Sequence, residues 1–264
     1  MTAGLQPENL QRLEGMAQLY NTTIIIYTVD TAQLQQLPTQ EHLPLPTYFR
    51  FILPLVLPAK RLYYIDADII CLQSAHELFA QDFEDNIIIA VPDLEWMNRK
   101  RNKALGITNH RYFNAGMLVI DVVKWNSFEV FNKVLEAITA NPEKFKYLDQ
   151  DALNLVLQGQ VKYLSPIFNC IDAENIDKDK IVLLHFAAQP KPWNVAFLHS
   201  KNCTKFNRDL YDYYELRTPW AHTPLDQPRN YKEYKQYARS LKRNKQYVKS
   251  LVYWLKYFKT KYLK

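Results

Sequence analysis

Two aspartates stand inside an apolar run, and this feature most restricts what the chain can become. Residues 61–72 read RLYYIDADIICL, with apolar residues at 62–65 and 69–72 flanking Asp66 and Asp68. The run predicts a strand interrupted by two acids. Residues i and i+2 of a strand face the same side, so both carboxylates would share one face. Burying them among apolar neighbours costs roughly several kcal/mol unless something compensates. A divalent cation that prefers hard oxygen ligands, Mg²⁺ or Mn²⁺, is the simplest compensator, and it also binds a pyrophosphate. Two solvated acids at a strand end are the alternative, and Asp-x-Asp alone does not decide between them.

Further apolar runs at 86–91, 117–123, 162–164 and 181–184, and a β-branched run at 22–27, read as strands. Helical patterns occupy 5–20, 128–141 and 149–157. Residues 30–47 read as a loop rich in Gln and Pro, and Pro54 argues against a long regular helix over 49–57. This alternation predicts an α/β fold with a mixed, mostly parallel sheet flanked by helices. In such sheets ligands bind outside the carboxyl ends of strands, where Asp66 and Asp68 fall. None of the five glycines belongs to a Gly-x-Gly-x-x-Gly or Walker loop, so a nucleotide would be held by other means.

Three other constellations carry chemistry only in combination. His185 follows the run at 181–184 and on its own is as readily a cap or core residue; Lys191, in Lys191-Pro192-Trp193, is as readily a surface lysine. A strand-end imidazole and a nearby ammonium would together meet a metal–diphosphate. Residues 149–154, DQDALN, read as helix caps, and 113–116, FNAG, as a turn before a strand.

Together these segments resemble glycosyltransferase family 8, retaining transferases of the GT-A type that include bacterial lipopolysaccharide galactosyl- and glucosyltransferases. The resemblance spans about residues 1–200 and is carried by TYFR at 47–50, YYIDADI at 63–69, FNAGMLVID at 113–121 with Lys124-Trp125, DQDALN at 149–154, and His185 with KPW at 191–193. It implies transfer of galactose or glucose from UDP-galactose or UDP-glucose to a lipid-linked glycan such as a lipooligosaccharide or lipopolysaccharide core. It implies that Asp66, Asp68 and His185 hold Mn²⁺, with Mg²⁺ as the alternative, beside the donor diphosphate. By the same resemblance Ala67 and Ala188 line the donor, Lys191 contacts phosphate, and Arg50, Asn114, Ala115, Asp149 and Gln150 surround the hexose. Gln150 would lie near the anomeric carbon with Asp149 beside it, and Asp93 would face the acceptor. Two departures accompany the match. Ala188 stands where related chains have glycine, and the family's first strand, which cradles uridine, would precede Met1. The chain therefore reads as N-terminally truncated, and an inactive remnant that binds glycan or membrane is the alternative to an enzyme. A phosphohydrolase built on Asp66 and Asp68 would need further ligands for two metals, and the sequence offers none.

Charge divides the chain. Residues 229–264 hold twelve of the 33 Lys/Arg and one of the 27 Asp/Glu, so this tail carries +11 and the remainder −5. The Pro-rich stretch 218–230 reads as a linker between a catalytic domain over 1–217 and an amphipathic tail over 231–264. On a helical wheel Tyr247, Leu251, Trp254, Leu255, Phe258 and Tyr262 share one face, with Lys245, Lys249 and Lys256 opposite. That is the pattern of a helix lying on an anionic membrane surface. No recognised nucleic-acid-binding fold accompanies the tail, so nucleic acid is not expected as a partner. Three widely spaced cysteines suit a reducing compartment. With no signal peptide or spanning segment in view, the expected location is the cytoplasm, peripherally on the inner face of the membrane.

Overall fold

Continuous apolar runs build the central strands of the first of two units in the computed structural model, which describes residues 2, 4–35, 37–39 and 45–263. This unit comprises residues 1–4 and 26–185; the second comprises 5–25 and 186–264.

In the first unit, β1 (Arg61–Ile65), β2 (Ile69–Cys71), β3 (Ile88–Pro92), β4 (Phe113–Asp121), β5 (Val161–Tyr163) and β6 (Leu183–His185) form two sheets. Four strands run in the order β1-β4-β3-β5, and β2 pairs with β6. The mixed α/β class agrees with the sequence reading. The expected predominance of parallel pairing does not hold, because β1–β4, β3–β4 and β2–β6 are antiparallel and only β3–β5 is parallel. Continuous apolar runs suggest parallel strands covered on both faces, but an antiparallel sheet covered on both faces reads the same way.

The sheet is buried on both faces. Ile88, Ala90, Leu118 and Ile120 point into one core. There they meet Phe51 of α2 (Phe49–Val56), Trp125 of α5 (Val122–Ser127), Val134 of α6 (Val130–Ala140) and Leu153 of α7 (Leu148–Val156). Ile89, Val91, Met117 and Val119 point into the other, with Leu78, Phe83, Phe168 and Leu183. Pro54 sits inside α2 without ending it, and that helix is only eight residues long.

Two local expectations change. Residues 61–72 form two strands instead of one: Asp66, Ala67 and Asp68 make the turn between β1 and β2, closed by an Ile69 N–H to Asp66 C=O bond of 3.2 Å. The desolvation of two carboxylates is reduced when the backbone leaves the ladder at that point. The β-branched run at 22–27 forms no strand; among the described residues an isolated Thr2–Thr28 bridge is the pairing in its vicinity. β-propensity needs a partner edge, and Ile25 is exposed.

A bulge in β4 positions the site. β3 and β4 pair in register from Ile88↔Ile120 to Ala90↔Leu118, then jump to Val91↔Asn114. Ala115, Gly116 and Met117 are thereby left out of the β3 ladder, and their polar backbone groups are free for other partners.

In the second unit, α1 (Pro7–Leu19) and α8 (Lys205–Glu215) precede a hairpin of α9 (Tyr231–Arg243) and α10 (Tyr247–Tyr262). The expected basic tail is thus two helices. Tyr237 and Leu241 of α9 pack with Ala196, Val195 and Tyr253. No helix among the described residues is long and apolar enough to cross a membrane.

Candidate metal and donor site

The turn after β1 and the end of β6 bring three metal-ligand side chains together. β2–β6 pairing sets His185 opposite Ile69, the residue that follows Asp68. His185 Nε2 lies 3.2 Å from Asp68 Oδ1 and 4.0 Å from Asp66 Oδ2. One ligand atom from each residue falls within 4.8 Å of the other two.

The orientation of the His185 ring follows from its neighbours. Asn114 Oδ1 accepts from the Gly116 N–H at 3.0 Å, so the Asn169 atom 2.9 Å from Asn114 Oδ1 is the amide nitrogen. Asn169 Oδ1 is then the atom 2.9 Å from His185 Nδ1. Nδ1 therefore donates to Asn169, and Nε2 is the ring nitrogen that faces the two carboxylates. Two carboxylates and one imidazole nitrogen converging in this way fit a small divalent ion, to which a neutral ring would offer the Nε2 lone pair. The ring packs on bare backbone: a Cβ at Gly116 would lie 2.3 Å from His185 Cε1. Asn169 was not singled out in the sequence; its only signal there is a polar residue after the apolar pair Ile167-Phe168.

Arg50 joins this group to Asp149. The guanidinium meets Asp66 Oδ1 and Asp149 Oδ2, each at 3.0 Å, and donates to the Ala115 carbonyl. It also lies 4.5 Å from the centroid of the Tyr64 ring, whose hydroxyl donates to Asp66 Oδ1 at 2.5 Å. Burial disfavours the Arg50 charge, but Asp149, Tyr64, Asp66 and Asp68 outweigh it and raise its pKa. Burial raises the Asp149 carboxyl, opposed by Arg50 and by Thr47, whose hydroxyl donates at 2.7 Å.

Gln150 is fixed from both ends. Its Oε1 accepts from the Ala115 N–H at 3.0 Å and from Asn114 Nδ2 at 3.2 Å. Its Nε2 donates to Asp93 Oδ2 at 2.9 Å and to the Tyr112 hydroxyl at 3.1 Å. Tyr112 in turn donates to Asp151, which is paired with Arg101 at 2.7 Å. Asp151, expected as a helix cap, is instead a fully buried anchor. Burial raises the Asp93 pKa, against hydrogen bonds from Leu94, Asn114 and Gln150 and the influence of His185.

The structure therefore brings together Arg50, Asp66, Asp68, Asp93, Asn114, Ala115, Asp149, Gln150 and His185 in the first unit, with Ala67 in the turn between the two acids. Ala188 and Lys191 belong to the second unit. There Lys191 Nζ donates to the carbonyls of Phe186 at 2.7 Å and Ala187 at 3.2 Å, and Ala188 is exposed.

Known proteins resemble this chain in sequence and in fold. A model described as glycosyl transferase family 8 matches residues 1–196, and one described as glycosyl transferase family 8 C-terminal matches 207–261. The chain is 31% identical to a lipopolysaccharide 1,3-galactosyltransferase of Salmonella typhimurium, over 97% of this chain and 79% of that protein. It is 28% identical to a lipopolysaccharide 1,2-glucosyltransferase of Escherichia coli, over 90% of this chain and 74% of that protein. Its fold is similar to that of the galactosyltransferase LgtC, solved with donor and acceptor sugar analogs. That similarity has a TM-score of 0.69 and 22% identity, over 82% of this chain and 83% of that one.

Two outcomes are expected of this site. Asn169→Leu removes the group that fixes the His185 tautomer, so Mn²⁺ affinity measured by calorimetry should fall about 10–100-fold; unchanged affinity would contradict the assignment. The Asp93 carboxyl should titrate above its ordinary value of 3.8. A raised folded value means that the stability gained from the protonated group is full below the unfolded pKa and is lost as pH rises through the folded one. A ¹³C titration of the Asp93 side chain, assigned with Asp93→Asn, reads this directly, and a midpoint at or below 3.8 would oppose it.

Proposed function

Because this chain belongs to glycosyl transferase family 8, we propose that it transfers galactose or glucose, with retention, from a UDP-sugar to a glycan acceptor of the lipopolysaccharide-core kind. The observation that carries the reading is the convergence of Asp66, Asp68 and Nε2 of His185. The two relatives described above act, by their names, on lipopolysaccharide with galactose and glucose, which supports the sugar and acceptor class.

In this reading Asp66, Asp68 and His185 hold Mn²⁺, or Mg²⁺ in its place. The ion supplies Lewis-acid stabilisation of the departing diphosphate. Arg50 holds Asp66 and Asp149 at fixed positions, so two carboxylates meet the donor already oriented. Asn114, Ala115, Asp149 and Gln150 form the wall for the hexose. Both acceptor positions of Gln150 Oε1 are taken by Ala115 and Asn114. The amide therefore acts as a fixed dipole beside an oxocarbenium-like centre, and same-face departure and attack give retention. Asp93, bonded to Gln150, accepts a hydrogen bond from the incoming hydroxyl.

The second unit would hold the enzyme on the inner, anionic face of the membrane. Leu251, Leu255 and Phe258 of α10 are exposed at helical spacing, with Tyr247, Val248 and Tyr262 beside them. A groove of about 840 Å³ beside α9 is lined by Lys232, Lys235, Arg239, Lys242, Arg243 and Lys261. Apolar side chains next to lysines and arginines match an interface of acyl chains and anionic headgroups.

Calorimetry with UDP, with and without Mn²⁺, tests the first reading. Micromolar, Mn²⁺-dependent binding that Asp68→Ala abolishes is expected, and metal-independent binding would overturn the metal assignment. For the second, Leu251→Ser/Leu255→Ser/Phe258→Ser should weaken sedimentation with phosphatidylglycerol vesicles at least about tenfold, since one buried apolar side chain is worth roughly 1.5–3 kcal/mol. Unaltered sedimentation would remove the membrane from the account.

A further inference from the structure

Asp93 belongs to two places at once. It is bonded to Gln150 at the site described above, and it also lines a second cavity of about 1240 Å³ in the first unit. That cavity lies along α4 (Glu95–Leu105) and the segment after it, where Gly106 closes the helix at φ 72° and His110 takes φ 54°. Its volume exceeds that of one sugar ring and falls above the roughly 300–1,000 Å³ usual for small-ligand sites.

The charges on its wall are sorted. Arg99 is paired with Glu95 at 2.5 Å. Lys103 and Arg111 also line the cavity, both are exposed, and among the described residues neither has a carboxylate partner. The Arg111 guanidinium lies 5.2 Å from the centroid of the Tyr163 ring, which lines the same cavity and steadies the guanidinium by cation–π contact. The wall thus has a carboxylate next to the reacting centre and two unmatched cations elsewhere. A carboxylate accepts from a neutral hydroxyl and repels anions, whereas arginine and lysine favour phosphate or carboxylate.

We propose that this cavity holds the acceptor glycan beyond the receiving hydroxyl, and that Lys103 and Arg111 select acceptors bearing an anionic group, phosphate or carboxylate, on that part. The inference rests on the reading of this chain as a transferase. It adds a substrate class: Asp93 takes the hydroxyl end of the acceptor, and the cation pair takes its charge.

The test uses the full chain with ¹³C-labelled methyl groups. Glucose, glucose 6-phosphate, glucuronate and inorganic phosphate are titrated in turn, and the Ile107 and Thr108 methyl and His110 ring signals are followed. The charged sugars should shift these signals saturably in the millimolar range, with glucose and inorganic phosphate each at least about tenfold weaker. A response to only one charged sugar supports the proposal and identifies the anion class. Lys103→Glu/Arg111→Glu should abolish the response, and Lys103→Gln, the milder variant, should weaken it several-fold. Equal response to glucose, equal response to free phosphate, no response to either charged sugar, or a response that survives both variants overturns the proposal. Mn²⁺-dependent UDP binding by the unsubstituted protein is read separately, so a failed cavity and a failed transferase reading give different results.

Discussion

The site depends on one irregularity in one strand. Where β4 bulges against β3, the chain releases the backbone groups of Ala115 and Gly116 from that ladder. The Ala115 N–H goes to Gln150, the Gly116 N–H to Asn114, the Ala115 carbonyl to Arg50, and the Gly116 carbonyl to the Asp66 N–H. Amide side chains are ambiguous by shape, because their oxygen and nitrogen ends are alike in size. A backbone N–H has no such freedom. Two of them therefore set the direction of Gln150 and Asn114, and through Asn114 that of Asn169 and the tautomer of His185. A regular strand at 113–117 would have spent these donors on its neighbour and left the side chains without a reference.

The bulge also needs its glycine. His185 presses its ring on Gly116 so closely that a methyl group there would overlap it. The backbone itself forms the floor under the imidazole, and this places Nε2 over Asp66 and Asp68. The remaining constraint is electrostatic. Asp66, Asp68, Asp93 and Asp149 bring four carboxylates into one small region, and Arg50 is the cation that bridges two of them. Burial raises the Asp93 and Asp149 carboxyls, because desolvation disfavours their charged forms. A divalent cation at Asp66, Asp68 and His185 would add positive charge beside Asp66, which shares Arg50 with Asp149, and beside Asp68.

Much of this was legible in the sequence, for a physical reason. Ligand type is a property of residues, so Asp66, Asp68 and His185 could be nominated before any geometry was known, and the structure brings them within reach of one ion. Geometry is a property of hydrogen bonds, and there the sequence was weaker. Residues 61–72 read as one strand because apolar residues flank the acids on both sides, yet the acids occupy a turn. The run at 22–27 has the composition of a strand and lacks a partner edge. Asn169 was invisible because an asparagine after an apolar stretch has the composition of any loop, and its importance arises only from which atom of Asn114 it meets. Asp151 looked like a cap and is a buried counter-ion to Arg101, a role that needs residues 50 positions apart to be adjacent.

The two units distribute different physical tasks. The first keeps its polar groups inward: buried amides and carboxylates hold one another, and their orientation is set by backbone donors. The second keeps its apolar groups outward: α10 exposes Leu251, Leu255 and Phe258, and α9 presents a basic face, while Tyr237 and Leu241 face the interior. Exposed leucines at helical spacing gain nothing from water, and a soluble helix with a single buried face has no need of them. An inward polar site and an outward apolar stripe suit the reading proposed above, of a dissolved donor and an acceptor anchored in lipid. The charge division between a tail of +11 and a remainder of −5 follows the same separation, since an anionic surface attracts the first and mildly repels the second.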